Sequence, residues 1–250
     1  MKFICVHSLT CAGDVGLRPY LEVLGEACRP LPSIVLTGPG NLPGVCRHAL
    51  PIGELLPAAL DALAASGKRV GMVIGYLADA GQVASLSAFL ADRRQHLSAL
   101  VVDPICGDEG RAYVSEPLIR AWPDLFASAD WVFPNQTEIE LLTGERGELA
   151  IAAFRRRWPN PGLIVTGAIR NQAVETRLEL AGASFRHQQP RIAGHHSGTG
   201  DRFAAVWLRE HYLRGHTARA SMETACHQVA AGLLPRPSNK AGNSRDLHPS

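Results

Sequence analysis

Short runs rich in Val, Ile and Leu alternate with longer stretches of helical periodicity along this chain, and nothing else in it narrows the fold as much. Apolar strands without polar alternation must be buried on both faces. A largely parallel sheet with helices on either side provides that burial. Strands are expected at residues 3–6, 33–36, 70–74, 100–102, 131–133 and 163–165. Helices are expected over 17–24, 57–65, 82–94, 138–142 and 149–158, then over 201–214, closed by Gly215 as C-cap, and around 218–233. Residues 174–180 and 183–187 read as a β-hairpin turning at Ala181-Gly182. The expected class is α/β, with a mostly parallel central sheet.

The chain has 250 residues, which suits one sizeable α/β domain. No internal repeat or interdomain linker is visible, so residues 1–234 are expected to form the domain. Residues 235–250, rich in Pro, Ser, Asn, Lys, Arg and Gly, are expected to be a poorly ordered tail. The Pro- and Gly-rich stretch 39–44 has the composition of a mobile flap. A net charge of +2 gives no reason to invoke a nucleic-acid or anionic-membrane partner. Arg155-Arg156-Arg157, the one basic run, is expected to be a solvated helix face. Six scattered cysteines contain no Cys-x-x-Cys pair, which argues against structural zinc and for reduced thiols. The apolar run at residues 3–6 is interrupted too early for a signal peptide, and no stretch reaches the length of a membrane span. A soluble, cytoplasmic protein is expected.

In such folds ligands sit beyond the carboxyl ends of the strands. Ser8, Asp103, Asn135 and Thr166 each follow a strand and would share one sheet edge. Gly198-Thr199-Gly200-Asp201 reads as a tight loop opening a helix. The free N–H groups and positive dipole end of a helix's first turn bind phosphate. A carboxylate beside that anion site can accept a proton from an alcohol attacking phosphorus. The same tetrapeptide is equally compatible with a plain turn and an Asp N-cap.

Asp103 and Asp108 lie in a loop after a strand, where carboxylates can orient hydrated magnesium, although an Asx-turn is the simpler alternative. Asn135 reads as an N-cap with Glu138 as its capping-box partner. That duty does not prevent Glu138 from holding a magnesium-bound water. At Val165-Thr166-Gly167, a hydroxyl and a free N–H are available for nucleotide phosphates. His195-His196 would point in different directions on an irregular segment and makes a poor metal site. His7 reads as a pocket wall or a satisfied core residue.

Taken together these segments resemble the ribokinase-like superfamily and, within it, the pyridoxal kinases. The run Asp103-Pro104-Ile105-Cys106-Gly107-Asp108, with Tyr113-Val114 downstream, is similar to that family's Asp-Pro-Val-Met-Gly-Asp loop. Asn135-Gln136-Thr137-Glu138 is similar to its Asn-x-x-Glu helix start, and Gly75-Tyr76-Leu77 to its Gly-Tyr-Leu-Gly segment. The order of motifs agrees from the first strand to about Leu233.

The resemblance implies a three-layer ribokinase-like sandwich that phosphorylates the hydroxymethyl group of a B6 vitamer with ATP. Asp201 would be the base, and the N–H groups of Gly198, Thr199 and Gly200 would stabilise the transferring phosphoryl group. Asp103, Asn135 and Glu138 would organise magnesium, largely through water. Asp103, Asp108, Thr166 and the Gly-Thr-Gly loop would face the nucleotide. Ser8, Tyr76 and, by a looser match, Thr37 would line the acceptor pocket. The family also suggests a homodimer and allows a monovalent cation.

Three positions depart from the family pattern. The Asn of its His-Val-x-x-Gly-x-x-Gly-Asn run is Leu17 here, its Ser-Asn after the second strand is Thr37-Gly38, and its Thr-Ser is Thr166-Gly167. A hydroxymethylpyrimidine kinase and a non-catalytic ligand-binding relative therefore stay open as alternatives. A nicotinamide-binding Rossmann enzyme fits poorly, because no Gly-x-Gly-x-x-Gly follows the first strand.

Overall fold

The computed structural model describes residues 1–38, 44–194 and 196–234. Most of the expected flap at 39–44, together with His195 and the tail 235–250, lies outside the described residues. Five strands alternating with helices build the middle of the sheet: β1 (Lys2–Thr10), β4 (Val70–Ile74), β5 (Ala99–Val102), β8 (Trp131–Val132) and β9 (Gly162–Arg170). They pair in parallel, and β2 (Cys28–Leu36) extends the parallel set beyond β1. The sheet has nine strands in the order β11-β10-β9-β8-β5-β4-β1-β2-β3. Its antiparallel margins are β3 (Arg47–Ala49) at one side and the hairpin β10 (Ala173–Leu180) and β11 (Ala183–Pro190) at the other.

Two hydrophobic layers follow from side-chain alternation along the buried strands. Ile4 and Val6 of β1, Met72 and Ile74 of β4, and Leu100 and Val102 of β5 pack on one face. They meet α2 (Ile52–Ala65), α3 (Ala80–Arg93), α5 (Gln136–Thr143) and α6 (Gly147–Arg157). Phe3 and Cys5 of β1, Val73 of β4 and Val101 of β5 point the other way. There they meet α1 (Leu17–Leu24), α7 (Thr199–Leu208) and α8 (Ala218–Leu233). The result is the expected three-layer α/β/α architecture.

Several local expectations need correction. The stretch 103–114 is more ordered than a loop. It contains a small hairpin, β6 (Gly107–Asp108) and β7 (Arg111–Ala112), with Glu109 and Gly110 both at positive φ in the turn. A short helix, α4 (Glu116–Ala121), follows it, and neither α4 nor β3 was foreseen. The helix expected over 201–214 begins at Thr199 and gives way at Leu208 to a π-helical turn over Arg209–Leu213. Arg155 is not solvated: it donates to the carbonyls of Pro161 and Glu179, tying α6 to the β9 start and to β10.

Trp207 anchors the α7 layer. It is fully buried, its ring centroid lies 4.7 Å from that of Trp131 and 5.0 Å from that of Phe133, and its Nε1–H donates to the Ala218 carbonyl. Truncating such a side chain removes its burial, opens a cavity and leaves its hydrogen-bond partner without a donor. Trp207→Ala is expected to lower unfolding free energy by about 3–5 kcal/mol, read from urea denaturation curves; a loss below about 1 kcal/mol would contradict this anchoring role.

Candidate active site

The carboxyl ends of β1, β4, β5, β8 and β9 converge on one edge of the sheet. The ladders continue there through the residues after β4, β5 and β8, and through Thr166 within β9. Gly75 N–H donates to the Val6 carbonyl, Asp103 N–H to that of Ile74, Phe133 N–H to that of Val102, and Thr166 N–H to that of Pro134. A cavity of about 550 Å³ opens at this edge. It is lined by Ser8, Tyr76, Asp103, Asp108, Asn135, Glu138, Thr166, Gly198, Thr199, Gly200 and Asp201. Every site residue expected from the sequence is therefore in one cavity, with the exception of Thr37. Thr37 turns to the β2–β3 margin, where its N–H donates to the Cys46 carbonyl and its Oγ1 accepts from Cys46 N–H. Its neighbours Leu36 and Arg47 line the cavity instead.

The Gly198-Thr199-Gly200-Asp201 loop is built for close approach. Gly198 is the N-cap of α7 in the left-handed region, at φ 78°. A Cβ there would stand 2.0 Å from the carbonyl oxygen of Asp14, so only glycine lets the loop after β1 seat against the helix start. The first turn of α7, whose N–H groups have no intrahelical acceptor, opens onto the cavity. Asp201 is the third residue of the helix rather than its N-cap. Its Oδ2 accepts from Gly16 N–H at 2.6 Å and its Oδ1 lies 3.0 Å from His7 Nε2. At 8% exposure the carboxylate is held yet still reaches the cavity.

The acidic side is equally constrained. Asn135 and Glu138 form the expected capping box: Glu138 N–H donates to Asn135 Oδ1, and Asn135 N–H donates to Glu138 Oε2. Glu138 Oε1 also accepts from Cys106 N–H, and Asn135 Nδ2 donates to the Gly107 carbonyl. Together with Gly110 N–H donating to Thr137 Oγ1, these bonds clamp the β6–β7 hairpin to the start of α5. Asp103, at the end of β5, is buried. Burial, then the charges of Glu138 and Asp201, raise its carboxyl well above the usual carboxylate range. Burial likewise lifts Glu138 to about 8, against the pull of its backbone donors. Asp103 and Glu138, two buried carboxyls whose pKa values are raised, face the cavity together with Asp201, and such a set of carboxyl oxygens is suited to a cation. Among the described residues no three or more His, Cys, Asp or Glu side chains stand close enough to hold a metal directly. A hydrated ion such as magnesium, which keeps several of its waters, fits this arrangement.

Other wall residues were not foreseen. Ile169, Val174, Ile192, Val229 and Leu233, from β9, β10, α8 and the segment after β11, give the cavity an apolar end. Thr10 also lines it, and its buried Oγ1 has no protein partner. The Tyr76 loop is tied down by Ser33 Oγ donating to the Tyr76 carbonyl and by Gln82, which bridges Ala78, Ser33 and Leu50. His196 lines the cavity but its Nε2 lies 3.1 Å from the Ala193 carbonyl, and its neighbour His195 is outside the described residues.

Comparison with known proteins agrees with this geometry. The phosphomethylpyrimidine kinase family model matches residues 47–242. Pyridoxal kinase PdxY of Deinococcus radiodurans is 32% identical over 216 residues, covering 79% of this chain and 70% of the relative. The chain thus belongs to the pyridoxal kinase family of the ribokinase-like superfamily and is an ATP-dependent phosphotransferase. Two solved structures share its fold. Pyridoxal kinase from Entamoeba histolytica superposes with a TM-score of 0.81 at 21% identity, covering 93% of this chain and 88% of that one. Pyridoxal kinase from Leishmania donovani, in complex with ADP and pyridoxamine, gives 0.78 at 21% identity, covering 92% and 85%. No helix among the described residues is long and apolar enough to cross a membrane.

Two predictions follow from the electrostatics of the site. A carboxyl whose folded-state pKa is raised favours folding below its unfolded pKa, and that contribution is lost as pH rises through the folded value. Asp103→Asn removes this penalty. The ligand-free variant is expected to melt about 3 °C or more above wild type at pH 8, with the gap narrowing toward pH 5; an equal or lower melting temperature at pH 8 would contradict it. Cys106, in the acidic segment, is fully buried and its thiol is pushed far up by burial and by Glu138 and Asp103. Ellman's reagent should therefore react quickly with the exposed Cys11 and Cys46 of the native protein and not with Cys106.

Proposed function

We propose that this chain transfers the γ-phosphoryl group of ATP to the hydroxymethyl group of pyridoxal or a related B6 vitamer. The observation that carries the reading is the meeting, in one cavity, of Asp201 with the open first turn of α7 and the acidic edge at Asp103, Asp108 and Glu138. A triphosphate entering a cavity walled by these carboxylates needs cationic screening. Magnesium supplies that screening when bound and draws charge from the transferring phosphoryl group. Asp103, Asn135 and Glu138 would hold it, largely through water, and the Gly198, Thr199 and Gly200 N–H groups stabilise the charge on the phosphoryl oxygens.

Asp201 accepts the acceptor's hydroxyl proton as the new O–P bond forms and the bond to the ADP leaving group breaks. Each of its oxygens has one lone pair engaged, by His7 or Gly16, and one left for the hydroxyl. Asp108 and Thr166 serve the nucleotide phosphates, and the apolar end of the cavity suits the nucleotide base. Ser8 and Tyr76 line the acceptor side. The pyridoxal kinase relative in Deinococcus radiodurans, and the ADP and pyridoxamine bound by the Leishmania donovani enzyme, support the choice of acceptor.

A second reading has its own support: the matching family model is that of phosphomethylpyrimidine kinases, so a hydroxymethylpyrimidine acceptor shares the chemistry. Turnover of MgATP with pyridoxal, pyridoxine, pyridoxamine and hydroxymethylpyrimidine in parallel separates the two. The B6 compounds are expected to give the highest kcat/KM, and preference for the pyrimidine would replace the first reading by the second. Asp201→Ala is expected to lower kcat about 10³-fold with nucleotide affinity little changed. ATP and vitamer binding without turnover in the wild-type protein would favour a ligand-binding relative.

A further inference from the structure

His7 lines the cavity and is buried with both ring nitrogens hydrogen-bonded, as the sequence suggested, and its contacts give it a further duty. Alternation along β1 puts it on the face of Phe3 and Cys5, which is the face that meets α1 and α7. Its ring lies against Gly75, where a Cβ would come within 2.0 Å of His7 Cδ2, so a glycine after β4 makes the space the imidazole fills. Tyr20 of α1 flanks it, ring centroids 5.7 Å apart. The ring is 2% exposed.

The hydrogen bonds fix its tautomer. Ser8 N–H donates to His7 Nδ1 at 2.8 Å, so Nδ1 is the acceptor and the proton of the neutral ring belongs on Nε2. Nε2–H then points at Asp201 Oδ1, 3.0 Å away. With both nitrogens engaged by protein, the ring has no donor left for a ligand and no lone pair left for a metal. Among the described residues Asp201 is the charged group bonded to the ring; Tyr20, which also feels Asp103, packs on it from α1.

We infer that His7 is a positioning residue for phosphoryl transfer: its Nε2–H, with Gly16 N–H on the other oxygen, fixes the Asp201 carboxylate so that its free lone pairs face the acceptor hydroxyl. The inference rests on the reading of Asp201 as the base. A free aspartate would rotate about two side-chain torsions, and each misaligned rotamer would have to be corrected before proton transfer. A base held from both oxygens avoids that step. The imidazole adds no charge of its own, so its contribution is geometric.

The test uses the full chain with His7→Leu, His7→Gln and Asp201→Asn, singly and combined. His7→Leu is expected to reduce kcat about 10–100-fold while the KM for ATP stays within about twofold of wild type. His7→Gln keeps a side-chain N–H donor and should recover most of the loss. In the Asp201→Asn background His7→Leu should cost nothing further. A second readout needs no turnover: ¹⁵N-resolved spectra of the histidine rings should show His7 as the neutral Nε2–H tautomer, with its signal displaced in Asp201→Asn. If His7→Leu does not fold, His7→Gln and the ring spectra carry the test. A folded His7→Leu enzyme with wild-type kcat, or an Nδ1–H tautomer, overturns the inference. Wild-type turnover by Asp201→Asn would instead overturn the base assignment, and the spectra would still report the His7–Asp201 bond.

Discussion

The site exists because two segments 194 residues apart are pressed together: the end of the first strand and the start of α7. His7 and Gly16 both reach Asp201, and the Gly198 backbone sits so close to Asp14 that no side chain fits between them. None of these contacts is local, so each depends on the sheet being complete. β1 lies inside the sheet, flanked by β2 and β4, and α7 packs over it through Phe203, Trp207 and their neighbours. The aromatic cluster around Trp207 thus supports the cavity edge as well as the core. It fixes the height and rotation of α7 above the sheet, and with them the position of the carboxylate.

Against that rigidity stands a deliberate instability. Asp103, Glu138 and Asp201 are all buried, and they face one cavity with no buried arginine or lysine among the described residues to compensate them. Burial and mutual repulsion raise the protonation tendency of Asp103, and burial does the same for Glu138. Elsewhere the chain neutralises its acids with care: Glu148 accepts from Arg177, Arg170 and Arg186, and Asp130 is bridged by Arg94 and the Leu100 N–H. The contrast marks the sheet edge as a place where stability is surrendered to function. On the proposed reading, a cation arriving with its ligand would relieve the repulsion and couple ligand binding to local stability through the same carboxylates.

Much of this was legible in the sequence because the signals were strong and local. The α1, α8 and β4 boundaries read from periodicity match the structure, as does the capping box at Asn135 and Glu138. The polar residues after each parallel strand share one edge because a parallel sheet puts all its carboxyl ends together. What could not be read was non-local or weakly patterned. β3 is three exposed residues held only by pairing with β2, and the β6–β7 hairpin turns on Glu109, a residue with no glycine-like freedom. Arg155 looked solvated because nothing in its own neighbourhood announces the carbonyls of Pro161 and Glu179. His7 carried a usable signal in its parity with Phe3 and Cys5, but its partner lay far away on another element.

The structure also narrows what the departures from the family pattern mean. Leu17, in place of an asparagine, is fully buried at the first position of α1 and packs with the layer that holds Tyr20 and Trp207. Its apolar side chain therefore alters the core under the site and not the lining of the cavity. Thr37 faces Cys46 at the sheet margin, so the change there is also outside the lining. Two of the positions that weakened the match on the acceptor side thus do not touch the space an acceptor would occupy. On the proposed reading, the groups placed to select the acceptor are those that do line it: Ser8, whose Oγ lies 3.3 Å from His7 Nδ1, Thr10 with its unpartnered hydroxyl, Tyr76 on its tethered loop, and Arg47 from the antiparallel edge. Ser8 and Thr10 lie on the strand that supplies His7. The strand that holds the Asp201 carboxylate therefore also lines the cavity beside it, so the two features share one backbone.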